Sequence, residues 1–312
     1  IVSASSDHKR YVAYVEGPQY PTGSYQLVDM TEPAIGELGA RFPQIGASDM
    51  GQVKAFTYKA RDGLVVPGYL TTPPGKGLKD LPLVVYPHGG PALRDDAGFH
   101  PWVQFLASRG YAVFQPQFRG SSGFGARHEA AGRFKWGLEM QDDITDGVKQ
   151  LIADGTADPA RICIFGWSYG GYAAMAGVTF MPDLYKCGVA GAGVSDLLLL
   201  VGDLKKESRF QHLSGKTWTD VVGDPIADRE RLIATSPVKH VDRIKAPLLL
   251  IHGKDDTVVP FRQSEVMAGA MRSAGKQVEF VALEGGDHWL NDARTSRRVL
   301  RELERFLGLH LK

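Results

Sequence analysis

The sequence is poor in cysteine, has almost no net charge and contains no long apolar run. Its 312 residues hold only two cysteines, Cys163 and Cys187, too few for a scaffold built on disulfides. Each stands inside an apolar run that reads as a central strand, so two free, buried thiols are expected. A formal net charge of +1 gives no electrostatic reason to expect nucleic acid or an anionic membrane as partner. No apolar run approaches the ~18 residues of a membrane span, and no basic flank with an apolar core marks a secretory leader. The sequence begins with Ile rather than Met and so reads as a fragment. A cytoplasmic location is expected, with a periplasmic or secreted one the alternative if a signal peptide precedes it. The nine histidines show no His-x-x-x-His spacing and the cysteines no Cys-x-x-Cys, so neither metal nor cofactor is expected. Gly120, Gly123 and Gly125 cluster in ArgGlySerSerGlyPheGly, but the stretch does not read as leading into a helix in the way a phosphate loop does.

What is present is a change of texture along the chain. In the first fifty residues KRYVAYVEG and GSYQLVDM alternate like strands, separated by ProGln and ProThrGly turn signals, and read as a small all-β piece. VKAFTYKA and LVVPGYLTTP meet at Arg61, Asp62 and Gly63, a hairpin signal. From Leu81 onward apolar runs alternate with helical patterns: LVVYP, YAVFQP, RICIFG, CGVAGAG, LLLIHG and VEFVALEG. Runs apolar on both faces, each followed by a helix, predict an α/β class with a mostly parallel central sheet and helices on both faces. In the last helical stretch Leu290, Ala293, Leu300, Leu303 and Leu307 fall near helical spacing, a packing face. The less regular segment 196–244, with its charged LysLysGluSerArg run, reads as an excursion between two strands that walls a site.

The chemistry centres on GlyTrpSerTyrGly, residues 166–170, set between a strand and the helical AlaAlaMetAlaGlyVal. This is Gly-x-Ser-x-Gly in the context of a nucleophile elbow, where a sharp turn exposes the serine and flanking glycines avoid collisions. A serine hydroxyl needs a base, an orienting acid and donors for the oxyanion. Ser168 is therefore the expected nucleophile, and acid and base should follow in chain order, each just past a strand. His288, in LeuGluGlyGlyAspHisTrp after ValGluPheValAla, is the expected base. For the acid, Asp255 and Asp256 stand side by side after ProLeuLeuLeuIle; spacing does not choose between them, and Asp287 is a weaker third candidate. The Tyr169 amide and the HisGlyGly turn at Gly89 and Gly90 are the expected oxyanion donors.

With these residues in order the chain resembles the prolyl oligopeptidase family of serine peptidases, and in particular its acylaminoacyl peptidase-like and bacterial dipeptidyl peptidase-like members. The resemblance spans about residues 50–312 and rests on HGGP (88–91), FRGSSGFG (118–125), WG (136–137), GWSYGG (166–171), SPVKHV (236–241), HGKDDTVVP (252–260) and GGDHW (285–289). It implies an α/β-hydrolase fold and assigns the acid to Asp256. It also implies an apolar S1 wall of Tyr169, Val194, Leu197 and Val259. Many members carry an arginine two residues after the acid; here Val258 stands there. Residues 1–50 then read as the last blade of an N-terminal β-propeller, a missing intramolecular partner, with 51–312 as the catalytic domain.

The function this implies is hydrolysis of short peptides through an acyl-enzyme, with no nucleic acid or membrane partner and with self-association into a homo-oligomer left open. Two other readings stand beside it: a carboxylesterase or thioesterase on the same scaffold, since fold does not fix the leaving group, and an inactive hydrolase fold serving as a binding module.

Overall fold

The computed structural model describes residues 1–17, 20–32, 34–206, 212–213 and 216–311. Four strands come first: β1 (Ser3–Ala4), β2 (Arg10–Gly17), β3 (Tyr20–Asp29) and β4 (Ala34–Ala40), an antiparallel sheet in sequence order. The ProGln signal at 18 and 19 lies outside the described residues, and the expected ProThrGly turn is instead the start of β3. A proline is tolerated there because the β2–β3 register slips between Val15 and Gly17, and such irregularities are where strands accept proline.

The main sheet has eight strands. They are β5 (Gln52–Lys59), β6 (Val65–Thr72), β7 (Leu81–Val85), β8 (Ala112–Pro116), β9 (Ala157–Trp167), β10 (Cys187–Gly191), β13 (Leu248–Gly253) and β14 (Val278–Leu283). A two-stranded ribbon of β11 (His212–Leu213) and β12 (Lys216–Thr217) lies between β10 and β13 in the chain. The order across the main sheet is β14-β13-β10-β9-β7-β8-β6-β5, with every pair from β14 to β8 parallel and only β6 and β5 antiparallel at one edge. The β5–β6 hairpin closes at Arg61–Gly63 as the sequence indicates, with the Asp62 carboxylate accepting from the Leu64 amide. Every residue of β10 and β13 is buried, whereas β5 is mostly exposed. That gradient explains why the central runs are apolar throughout while the edge alternates.

Nine α-helices accompany this sheet among the described residues. Four follow the early strands: α1 (Pro101–Ser108), α2 (Ala126–Ala130), α3 (Glu139–Ala153) and α4 (Tyr169–Phe180). Three, α5 (Leu197–Lys206), α6 (Trp218–Val221) and α7 (Arg229–Ala234), belong to the expected excursion, whose charged run at 205–209 lies largely outside the described residues. The last two are α8 (Arg262–Ser273) and α9 (Ala293–His310). Two apolar cores result, one on each face of the sheet: Met140, Ile144, Tyr172, Met175 and Met267 belong to one, and Val103, Leu106, Val299, Leu303 and Phe306 to the other. None of the helices is long and apolar enough to cross a membrane.

Two local expectations are corrected. Gly125 does lead into a helix, the five-residue α2, but the loop before it is filled: a Cβ on Gly120 would meet Met140 and Gly132, and one on Gly123 would meet the Arg94 side chain. The cysteines are not free. Cys163 and Cys187 are register partners on β9 and β10, their Cα atoms 4.8 Å apart, and their sulfurs are joined as a disulfide. Neighbouring parallel strands in register place both Cβ atoms on one face at bridging distance, which neither apolar run reveals alone.

Candidate active site

β9 ends at Trp167 and α4 begins at Tyr169, so one residue turns the chain. That residue is Ser168, at φ 60° and ψ −120°, a backbone conformation that costs a non-glycine residue about 1–3 kcal/mol and recurs at functional sites. Its amide donates to the Gly191 carbonyl at 2.9 Å, and its carbonyl accepts from the Tyr172 amide at 3.0 Å, so both backbone ends are fixed. The neighbouring glycines are not the strained residues. A Cβ on Gly166 would strike the backbone of Gly170, one on Gly170 would strike the Pro87 carbonyl, and one on Gly171 would strike the Gly191 carbonyl. They permit close approach of three chain segments around a strained serine.

The loop after β13 supplies a carboxylate wholly removed from solvent. Asp256 Oδ1 accepts from the amides of Val258 (2.8 Å) and Val259 (2.9 Å), and Oδ2 lies 2.7 Å from His288 Nδ1 and 3.2 Å from His252 Nε2. Burial alone raises a carboxyl pKa, but here the hydrogen bonds and charge from His252 and His288 outweigh it and hold Asp256 well below its usual range. Asp255 is exposed, while Asp287 turns its carboxylate to Asn291. Asp256 thus caps its own turn through Oδ1 while Oδ2 faces the histidines. His288 follows β14 and is nearly buried; its carbonyl accepts from the Trp167 indole at 2.9 Å, tying the histidine's loop to the elbow.

The turn after β7 lies against the serine: a Cβ on Gly89 would sit 3.3 Å from the Trp167 carbonyl and 3.6 Å from Ser168 Cβ. Tyr169 opens α4, so its amide is one of the first-turn N–H groups that have no partner within a helix. His88 fixes the turn. Burial lowers its pKa to about 4, so the ring is neutral at pH 7. Its Nδ1 lies 2.7 Å from the Gly89 carbonyl and its Nε2 2.8 Å from the Ser121 hydroxyl, which itself donates to the Phe118 carbonyl at 2.7 Å. The ring stacks on Phe118 at 4.5 Å, which in turn meets Tyr169 at 5.1 Å. The FRGSSGFG stretch is thus a buttress, anchored by Arg119, whose guanidinium and backbone amide bond the fully buried Asp143 carboxylate.

Ser168, His288, Gly89 and Gly90 line one cavity of about 600 Å³. The Tyr169 ring, 1% exposed, packs edge-on to Trp136 at 4.6 Å, and Trp136 meets Trp218, which reaches the cavity wall. Val194, Leu197 and Val259 are buried in the same apolar cluster as Tyr169, and the wall itself carries Val258.

Residues 98–312 match the prolyl oligopeptidase family. The chain belongs to this family. It is 32% identical to dipeptidyl aminopeptidase BIII of Pseudoxanthomonas mexicana over 313 residues, covering 97% of this chain and 45% of that protein. Among solved structures it resembles a Mycobacterium tuberculosis puromycin-hydrolyzing peptidase (TM-score 0.84, 28% identity, 97% of this chain and 46% of that one). It also resembles Pyrococcus horikoshii acylaminoacyl peptidase (TM-score 0.81, 26% identity, 97% and 48%). The chain spans less than half the length of these relatives.

Several residues at this prolyl oligopeptidase-family site escaped sequence reasoning. His252 and Ser121 read as parts of glycine-rich turns, and only the fold shows the first beside Asp256 and the second on His88. Trp102 lies on the cavity wall from α1, far from any motif, whereas Trp289 carried a signal in its place directly after His288.

Proposed function

We propose that this chain is a serine hydrolase of short peptides, acting by acyl transfer through Ser168. The observation that carries this reading is the meeting of a strained serine at an elbow, a histidine bonded to a buried carboxylate at 2.7 Å, and a glycine turn, all on one cavity. In this reading His288 takes the Ser168 proton as Oγ attacks the scissile carbonyl, and Asp256 holds the ring and the charge that forms. The Tyr169 amide and the Gly89 or Gly90 amide receive the oxyanion; losing one such donor costs about 3 kcal/mol in the transition state. His288 then gives its proton to the leaving amine, and water, deprotonated by the same ring, frees the acyl group. Trp218 and Val258 on the cavity wall, with Tyr169, Trp136, Val194, Leu197 and Val259 buried in the apolar cluster behind them, receive an apolar P1 side chain. The names of the relatives support dipeptidyl- or acylaminoacyl-peptidase action. A fluorophosphonate probe tests the nucleophile, and comparing a nitrophenyl ester with acyl-alanyl and dipeptidyl anilides tests the reaction. A folded protein unlabelled at Ser168 refutes the hydrolase reading, and turnover of the ester alone replaces the peptidase by an esterase.

The N-terminal sheet supports a further assignment of residues 1–50 to the last blade of a β-propeller, since four antiparallel strands in sequence order are the form of such a blade. A structure of the protein translated from the whole gene, with these strands paired in another arrangement, refutes it.

A further inference from the structure

Two histidines meet the Asp256 carboxylate, and only His288 has a part in the chemistry proposed above. The other, His252, stands next to the last residue of β13 and is fully buried. Its Nε2 lies 3.0 Å from the Val259 carbonyl and 3.2 Å from Asp256 Oδ2, and its Nδ1 lies 2.7 Å from the Ser264 hydroxyl on α8. A carbonyl and an ionised carboxylate only accept, so Nε2 carries a proton. In the neutral ring Nδ1 is left to accept from Ser264, and the Phe261 ring stands edge-on to it at 5.5 Å. One tautomer is thus fixed in one place. Oδ1 of Asp256 is taken by two amides and Oδ2 by the two rings, which together fill the roughly four acceptor sites of a carboxylate. The charges facing this carboxylate come from those two rings. Around them Asp255 is exposed, Lys254 pairs with Glu284, and Asp287 turns to Asn291; the start of α8 presents the uncharged Phe261 and Ser264, with Glu265 exposed.

We propose that His252 is a positioning residue for the reaction: its Nε2–H holds Asp256 Oδ2 toward His288, takes a share of that oxygen's charge, and so sets the lower pH limit of turnover. The proposal rests on the reading of His288 as the base that accepts the Ser168 proton. A base has to be unprotonated to do this, whereas the carboxylate behind it favours the protonated ring. An Oδ2 bonded to one donor alone would hold the imidazolium more tightly, and turnover would begin at a higher pH. A second donor on the same oxygen offsets that pull, and its bond to the Val259 carbonyl keeps the loop of Asp256 in place.

The test uses the whole chain and a nitrophenyl ester, with kcat and KM followed from about pH 5 to about pH 9. In His252→Phe, which keeps a ring and loses both nitrogens, the acid limb of kcat/KM is expected about one pH unit higher. Its plateau kcat is expected about tenfold lower with KM changed by less than about twofold, the low end for losing a hydrogen bond to a charged group. His252→Gln returns an amide donor near the place of Nε2 and is expected to bring the limb back to within about 0.3 pH unit of the unaltered protein. Where the phenylalanine variant does not fold, His252→Asn takes its place: its shorter amide reaches Ser264 but not Asp256, and the same upward shift is expected. A role in packing alone lowers the melting temperature and leaves the limb where it was. An unmoved limb in folded His252→Phe or His252→Asn, or an equal shift in His252→Gln, overturns the inference while Ser168 still labels with a fluorophosphonate. Failure of Ser168 to label in the unaltered protein overturns the hydrolase reading and this inference together.

Discussion

The elbow at Ser168 and the loop of Asp256 reach the same cavity by opposite means. The elbow is held by atoms that are missing: Gly166, Gly170 and Gly171 let three backbone segments touch, and no side chain fits between them. The acid loop is held by one side chain that is present, a carboxylate joined to two amides and approached by two histidines. The first corner should tolerate no added atom, the second no lost one. This contrast sorts substitutions by direction rather than by distance from the chemistry.

The largest effect tests the chemistry both corners serve. Ser168→Ala should lower turnover by about 10⁴- to 10⁶-fold with little change in melting temperature, and appreciable turnover in the purified variant would remove the serine from the mechanism. Next comes the corner built on presence. Asp256→Asn keeps the shape but loses the charge, and kcat should fall about 10⁴-fold because the amide no longer fixes the protonated Nδ1 of His288. The corner built on absence is probed by Gly170→Ala. Its methyl meets the Pro87 carbonyl, so the turn carrying Gly89 must move, with about 1–3 kcal/mol lost in stability and about 10²-fold or more in kcat. A variant with normal melting and normal kcat would show that the elbow has slack.

A subtler effect concerns pH. His88 and His100 have pKa values lowered to about 4 by burial, so below about pH 6.5 the unfolded chain binds protons that the native one refuses. Asp95, buried and raised to about 7, works the other way: the native chain keeps a proton that the unfolded chain releases above about pH 4. Two histidines against one aspartate leave about one proton taken up on unfolding. Stability should therefore fall by about 1.4 kcal/mol per pH unit on acidification from about 6.5 toward 4. In Asp95→Asn the slope should roughly double. Urea titrations across that window measure both, and a flat profile would contradict the neutral state of His88 on which the glycine turn depends. The smallest effect belongs to Asp255→Asn, expected to stay within about twofold of the unaltered kcat, as for surface substitutions away from the site. A larger loss than in Asp256→Asn would reverse the choice of carboxylate.

The two corners also differed in how far the sequence disclosed them. The elbow was legible because its requirement is local: a strand, a serine between glycines, a helix. The acid was not, since Asp255 and Asp256 are equivalent by spacing, and only family resemblance, and then the burial of one and exposure of the other, separates them. That the central runs form a mostly parallel sheet was legible too, each run being apolar on both faces, but not their order across it. Pairings between distant segments were hidden. Cys163 and Cys187 meet through register, and Trp102 reaches the cavity by the placement of α1, neither of which leaves a periodic mark on its own stretch. Pro21 misled in the other direction, since a local turn signal yielded to a slip in strand pairing.

The bond from the Trp167 indole to the His288 carbonyl joins residues 121 apart in the chain. During synthesis Ser168 therefore leaves the ribosome well before His288, and a growing chain that has passed the first but not reached the second carries the serine without that histidine. A hydrolase arranged in this order stays silent toward its neighbours on the polysome until its last strand is made and the C-terminal helix α9 can close over the sheet.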